Sequence, residues 1–317
     1  MGRLGIETEC DKHPQVLSIM NELEHRNLNS LLGRIMPVLV ILLWGSATVL
    51  SALSLREIGP LAVSFWRWAW ALPALWATLF FSRERGQIAS TLRTFPLQLL
   101  AIGSSGITLL YMAQNLALQR TTVFNVSLFI ELTPVFIALL ALLVLREIPS
   151  WRTWLGIGLG FAGAALLSWN GFASTPGVEQ GSLSGDAWAL GAAFAGAVYT
   201  VYGKKLLKVM SPLMMLTLSA SMGVFLLLPM ALWEGAFWPQ SCSVWSYLLV
   251  LGLGAGALGN LWWFKALEHR QAAQLSIILF VTALVAATLA IVIFGDPLSV
   301  WLAVGGILIL IGARLVK

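Results

Sequence analysis

From residue 35 onward the chain is a succession of apolar runs of about 18–23 residues, with polar residues gathered between the runs rather than alternating within them. The runs fall at 35–55, 61–81, 96–118, 122–144, 152–169, 187–205, 212–232, 244–265, 272–293 and 298–315. Each is long enough to cross about 30 Å of hydrocarbon as a helix. The pattern predicts an all-α integral membrane protein of ten transmembrane helices, because only a helix or a closed barrel satisfies its own backbone in lipid. Residues 1–34 are different: Glu7, Glu9, Asp11, Glu22 and Glu24 lie among basic residues, and no apolar core of a signal peptide is present. This stretch reads as a polar cytoplasmic tail, with Met20 and Met36 as alternative starts.

Composition narrows the class. Of 317 residues 58% are hydrophobic and only 10% charged, against about 25% charged in a soluble domain; the mean hydropathy is +0.85. So little charge cannot cover a soluble surface, which excludes a soluble enzyme, a disordered chain and a nucleic-acid module. The net charge of +5 then needs another account. With the N-terminus inside, sixteen of the 19 Lys and Arg fall in the tail, the even-numbered turns and the C-terminus. Arg56 and Arg120 fall outside, and Arg67 lies within the second run. The positive-inside rule thus supports ten spans oriented N-in and C-in, suited to a bacterial cytoplasmic (inner) membrane. The expected partners are the lipid bilayer and a small-molecule substrate, with no nucleic acid; the oligomeric state is not legible. Cys10, Cys242, His13, His25 and His269 are scattered, so no metal site or cofactor is expected.

A shift of 149 residues lays the second half over the first. Ser127 meets Ser276, Thr133 meets Thr282, Glu147 meets Asp296, Ser150 meets Ser299, Gly156 meets Gly305, and Gly163-Ala164 meets Gly312-Ala313. Five helices per half, an odd number, require the halves to insert with opposite orientation. The expected domains are the tail, a first five-helix repeat at 35–171 and a second at 184–317. Inverted repeats are the architecture of alternating-access transporters, whose substrate site lies near the midplane between the halves.

Short motifs carry a family resemblance. Trp44-Gly45-Ser46, Gly59-Pro60 and Phe65-Trp66-Arg67 occupy the first two helices. Asn125-Val126-Ser127, Thr133-Pro134-Val135 and Arg146-Glu147 surround the fourth, and Gly185-Asp186 and Ser211-Pro212 open the sixth and seventh. In order, spacing and duplication these resemble the EamA family of the drug/metabolite transporter superfamily over residues 35–317. The resemblance implies a ten-helix exporter of small metabolites or drugs, with helices 5 and 10 peripheral. Two positions depart from the pattern. Ala283 stands where the repeat would match Pro134, and Arg146 stands where Gly is more usual before Glu147.

Ionisable residues inside a span are costly and therefore candidate functional groups. Arg67 lies about 9 Å and Glu131 about 14 Å below the outer edge at 1.5 Å per residue, close enough in depth to pair. Glu131 is the candidate proton-coupling carboxylate, with Arg67 orienting it or binding a substrate carboxylate. A structural ion pair is the plainer alternative. Pro134 has no N–H and strips the Ile130 carbonyl of its helical partner, leaving it for a ligand or for a bend. Tyr111 and Asn115 in helix 3, their counterpart Asn260 in helix 8, Tyr199 in helix 6 and the deep Trp44 are candidate cavity residues. Polar side chains also simply hold transmembrane helices together. Trp151, Trp154, Trp169, Trp188, Trp238, Trp245 and Trp301 fall near helix ends, as an interfacial belt does, whereas Trp44, Trp66, Trp70, Trp262 and Trp263 lie deeper and are candidates to stack on a planar or cationic substrate. Two GxGxxG matches, Gly158–Gly163 and Gly254–Gly259, lie inside spans and read as close helix packing. Glu147 and Asp296, just before Ser150 and Ser299, are expected to help cap helices 5 and 10.

Together these features predict a secondary active transporter rather than an enzyme: a proton-coupled exporter of small metabolites such as amino acids, one buried cation and one buried anion suiting a zwitterion. The alternatives are efflux of lipophilic cationic drugs, or exchange of a metabolite without proton coupling.

Overall fold

The computed structural model describes residues 35–121, 123–173, 182–294 and 300–316, with the side chains of 123–124, 168–173, 290 and 294 left aside. The tail 1–34, Asp296 and Ser299 lie outside the described residues, as do residues 174–181 of the 170–186 loop. Val40–Lys317 forms one compact unit, and all packing below belongs to it; of the residues before it, only the helical 35–39 are described.

Every long element is helical, and the described residues contain no strand. In chain order the helices are α1 (Ile35–Ser54), α2 (Pro60–Phe81), α3 (Pro96–Arg120), α4 (Asn125–Leu145), α5 (Trp151–Ala173), α6 (Leu183–Leu206), α7 (Pro212–Trp233), α8 (Cys242–His269), α9 (Ala272–Ile293) and α10 (Val300–Leu315). A short helix, Ile88–Thr94, links α2 to α3. Six of them, α1, α3, α4, α7, α8 and α9, are long and apolar enough to cross a membrane. The remaining apolar runs are shorter, as in α10, or diluted by Trp, Gly and Tyr, as in α2, α5 and α6.

Polar residues at the turns fix where helices begin. Pro60 and Pro212 occupy first-turn positions, where a missing N–H costs nothing. Ser182, Ser211 and Ser241 cap α6, α7 and α8 with side-chain oxygens that accept from Gly185, Met214 and Val244. Carboxylates then tie each helix start to the end of another helix. Glu234, just past α7, accepts from the Leu61 and Ala62 N–H groups at 2.9 and 3.1 Å, supplying acceptors for the first turn of α2. Its partial burial pushes its pKa up, and those two bonds pull the other way. Gly59 leaves room for it: a Cβ would fall 2.1 Å from Glu234 Oε2 and push the carboxylate off those N–H groups. At the opposite end Glu84, just past α2, accepts from Ser211, the cap of α7. The second helix of each half thus runs antiparallel to its counterpart, each capped from beyond the other's end. Glu57, after α1, does the same for α8: the Ser241 hydroxyl and backbone N–H bond it at 2.6 and 2.7 Å and hold its pKa below the usual carboxylate value.

Glu147 corrects the sequence-based expectation. Ser150 caps α5 through Thr153 N–H at 3.2 Å, whereas Glu147 reaches away from α5. It accepts from Ala272 N–H at 2.8 Å, at the start of α9, and pairs with Lys204 of α6 at 2.5 Å. The turn that aims it places Arg146 at φ 57°, ψ 30°, a left-handed conformation that favours glycine.

Close packing of small residues sets the helix pairs. α5 and α10 meet along glycine: a Cβ at Gly163 would lie 2.5 Å from the Gly305 carbonyl, and one at Gly156 would lie 2.9 Å from the Gly312 carbonyl. Shifting 156 and 163 by 149 gives 305 and 312, so the two contacts are one contact repeated in antiparallel sense. Gly103 of α3 packs on the Ser219 carbonyl of α7, and its counterpart Gly252 of α8 packs on the Arg67 carbonyl of α2. Both sit in wider, π-helical turns, Gly103–Leu109 and Leu251–Gly259.

Gly163→Ala should therefore lower the melting temperature in detergent, while Gly158→Ala, where a Cβ meets nothing within 4 Å, should hold or raise it through a helix-propensity gain of about 0.8–1 kcal/mol. Equal effects at the two positions would contradict the packing. Arg146→Gly should stabilise by about 0.5–1 kcal/mol, a left-handed strain of about 1–2 kcal/mol relieved against the added entropy of glycine, measured as an upward shift in the same melt.

Candidate functional site

Within the Val40–Lys317 unit the helices line a cavity of about 180 Å³. That is room for about six waters at a liquid share of about 30 Å³ each. Its wall comes from α1, α2, α3, α4, α6, α8 and α9. Many lining positions come in pairs 149 residues apart: Ala47 with Gly196, Ser51 with Thr200, Tyr111 with Asn260, Gln114 with Trp263, Ile130 with Leu279, and Thr133 with Thr282. The two halves thus present matching backbone positions to one space. Charge breaks the match. Arg67 and Glu131 belong to the first half, and their counterparts are Leu216 and Phe280, which are fully buried away from it.

Arg67 is 7% exposed. Its guanidinium lies over the Tyr111 ring, 4.4 Å from the centroid, a cation–π contact. Its buried Nε has no hydrogen-bond partner. Trp68 flanks Tyr111 from the neighbouring position, ring centroids 5.9 Å apart. The expected pairing of Arg67 with Glu131 is not made: both line the cavity, but no ion pair joins them. The site therefore holds an anchored cation and a separate carboxylate, each without an opposite charge from the protein.

Glu131 occupies a break in α4. The helix runs to Ile130, turns through Glu131 and Leu132, and resumes at Thr133. Pro134 causes the break, as expected, but the carbonyl it frees is taken. Thr133 Oγ1 donates to Ile130 O at 2.6 Å. Pro134 itself is buried and does not line the cavity, so its effect is to turn the chain and bring Glu131 to the wall. The second half repeats the hydroxyl device without proline: Thr282 Oγ1 donates to Leu279 O at 2.6 Å.

The π-helical turn of α8 is closed by side chains in the same way. Asn260 Nδ2 donates to the Ala255 and Gly256 carbonyls at 2.9 and 3.0 Å, and Trp44 Nε1 donates to Ala255 O at 3.1 Å. Asn260 Oδ1 accepts from Tyr199 Oη at 3.1 Å, which ties α6 to α8. Trp44 and Trp263 stand together with ring centroids 5.2 Å apart, giving the wall an aromatic side opposite in character to its polar groups.

Of the residues singled out in the sequence, Trp44, Arg67, Tyr111, Glu131, Tyr199 and Asn260 meet at this cavity. Asn115 does not. It is buried against α2, donating to Pro60 O at 3.0 Å and to Ser64 Oγ at 2.7 Å. Gln114, a polar position of the same helix as Tyr111, and the deep Trp263 also line the cavity, as do Thr133 and Thr282, which the repeat matched but to which no cavity role was assigned. All four fall in the 149-residue pairs. Two deep tryptophans, Trp66 and Trp70, lie instead in an aromatic cluster with Phe237, Trp238 and Trp245.

Comparison with known proteins agrees with this architecture. The profile of the EamA-like transporter family matches residues 31–169 and again residues 183–317. An uncharacterized transporter of Archaeoglobus fulgidus is 28% identical over 282 residues, covering 87% of this chain and 94% of its own. The uncharacterized transporter YyaM of Bacillus subtilis is 24% identical over 277 residues, covering 84% and 88%. One solved crystal structure superposes with a TM-score of 0.72 at 20% identity over 89% of this chain and 95% of that one, which speaks to the fold.

The Thr133 hydroxyl has one clear consequence. Thr133→Val should cost about 1–2 kcal/mol by orphaning the Ile130 carbonyl. The cost should shrink in a Pro134→Ala background, where residue 134 regains an N–H for that carbonyl. A double-mutant cycle of melting temperatures checks it; additive effects would mean the hydroxyl does not substitute for the missing N–H.

Proposed function

The chain belongs to the EamA-like transporter family, and from that premise we propose that it is a secondary active transporter, a proton-coupled exporter of small metabolites such as amino acids. The family and the names of its relatives point to transport rather than catalysis, in an integral membrane protein built of two repeats. The rest of the reading is ours. The helices α1–α10 all span, N-in and C-in, in a bacterial inner membrane. The two halves lie in opposite orientation, in keeping with the antiparallel α2–α7 and α5–α10 contacts, and they expose the shared cavity to one face at a time.

The observation that carries the substrate assignment is the pair of unmatched charges in one cavity. Arg67, fixed on Tyr111 and short of an acceptor, suits a substrate carboxylate, since guanidinium–carboxylate bonds are strong and geometrically specific. Glu131 carries the coupled proton: protonated, it crosses the closed states as a neutral group, avoiding the cost of an unpaired charge in the membrane. Thr133, Thr282, Gln114 and the Tyr199–Asn260 pair supply further polar contacts, and Trp44, Tyr111 and Trp263 supply apolar ones. A second reading, efflux of lipophilic cations, draws on the Trp44–Trp263 pair and Glu131 and has no use for Arg67.

Reconstitution in liposomes with a trapped pH dye separates them. Zwitterionic amino acids should move protons with the native chain and not with Glu131→Gln. Arg67→Ala should raise KM about 10–100-fold, the worth of a charged hydrogen bond of about 1.5–3 kcal/mol. Proton movement driven by lipophilic cations and indifferent to Arg67→Ala would favour the second reading. Substrate exchange without proton movement would replace proton coupling by antiport of metabolites.

A further inference from the structure

The cavity comes nearest to a helix end at Ser51, three residues from the end of α1, or about 5 Å at 1.5 Å per residue. On the opposite side it stops at Thr200, Trp263 and Leu279, each six or seven residues, about 10 Å, from the end of its helix. Below that second boundary the space is filled. Phe264, fully buried, sits in a notch at Gly203, where a Cβ would lie 2.4 Å from its ring, and it packs edge-on against Tyr199 at 5.0 Å.

Next to Gly203, one turn of α6 beyond Thr200, is the Glu147–Lys204 pair at 2.5 Å, with side chains only 17% and 14% exposed. Solvent-exposed ion pairs hold little; this one is largely withdrawn from water and is joined to backbone on both sides. Glu147 also accepts from Ala272 N–H, and Lys204 also donates to the Arg270 carbonyl. The group therefore links the α4–α5 turn and α6 to the α8–α9 turn. These are the elements that approach each other across the cavity floor.

We propose that Phe264 and the Glu147–Lys204 pair form the gate at this end of the cavity, shut in this structure, and that release of Lys204 from Glu147 and Arg270 opens it. The gate rests on the alternating-access reading above and adds the residues that close one face. The position 149 residues before Lys204 is Leu55, and the one before Phe264 is Asn115, which is committed to Pro60 and Ser64 of α2; the counterpart of Glu147, Asp296, lies outside the described residues.

Thiol accessibility tests this without a substrate. Gly196→Cys, in a background with Cys10→Ser and Cys242→Ser, places a thiol in the cavity wall where the nearest atoms stand 3.5 Å from the new Cβ. A membrane-impermeant maleimide applied to right-side-out and inside-out vesicles should label it from the face carrying Ser51's end of α1 and not from the opposite one. Lys204→Met should raise labelling from the opposite face about tenfold, the size of a typical coupling between sites. Lys204→Arg should restore protection, and Phe264→Ala should raise labelling independently, which covers failure of either variant to fold. Equal labelling from both faces in the background, or none of the variants changing it, would overturn the gate and leave the transport reading standing. A thiol unreachable from both faces in every variant would overturn the cavity as a pathway, and the gate with it.

Discussion

No backbone amide or carbonyl can be left without a partner in hydrocarbon, and much of this structure follows from where that rule is put under strain. Proline breaks α4, and the Thr133 hydroxyl closes the gap. α3 and α8 widen into π-helical turns; in α8 the side chains of Asn260 and Trp44 take the carbonyls that loosen. Thr108 of α3 reaches across to the Gly223 carbonyl of α7 at 3.0 Å. At the helix starts Glu57, Glu147 and Glu234 supply the acceptors that the first turn lacks. The polar residues of this chain are few, and most of those described here are spent on backbone. Among the described residues three buried side-chain nitrogens lack a partner, Arg67 Nε and the Nε1 of Trp68 and Trp70, and of these residues only Arg67 lines the cavity, which gives it weight in the functional reading.

The duplicated halves share a frame and differ in content. Matching positions line the cavity from both sides, and matching glycines bring α5 to α10 and set α3 on α7 and α8 on α2. Within that frame the first half contributes both ionisable groups of the wall, while the second contributes an indole at Trp263 and a carboxamide at Asn260.

The apolar runs made the helices legible, since length and hydropathy are local properties. The internal repeat and the intramembrane charges pointed to the cavity for a related reason: burying Arg67 or Glu131 is expensive enough to need a purpose. What sequence reading could not give was direction. Asn115 and Tyr111 lie four residues apart and share a helical face in projection, yet Asn115 is drawn to α2 by the Pro60 carbonyl while Tyr111 faces the cavity. Glu147 stands three residues before Ser150 and resembles a local cap, but its partner is 125 residues away at Ala272. The Ile130 carbonyl was legible as an orphan, but the adjacent threonine that occupies it was not weighed. In each case the deciding contact is a long-range or side-chain-to-backbone bond, and neither spacing nor periodicity carries that information.

The glycine seam between α5 and α10 has an implication for how such a chain could arise. Gly156 faces Gly312 and Gly163 faces Gly305, so each terminal helix offers its neighbour the surface that it receives. A surface of that kind is self-complementary in the antiparallel sense, as an isologous contact between two separate copies would be. A single five-helix half, inserted in either orientation, would already carry the means to bind its twin. Fusion of two genes would then have preserved a dimer rather than invented a fold. It would also have freed each half to change alone, so that Arg67 and Glu131 in one stand at the positions of Leu216 and Phe280 in the other.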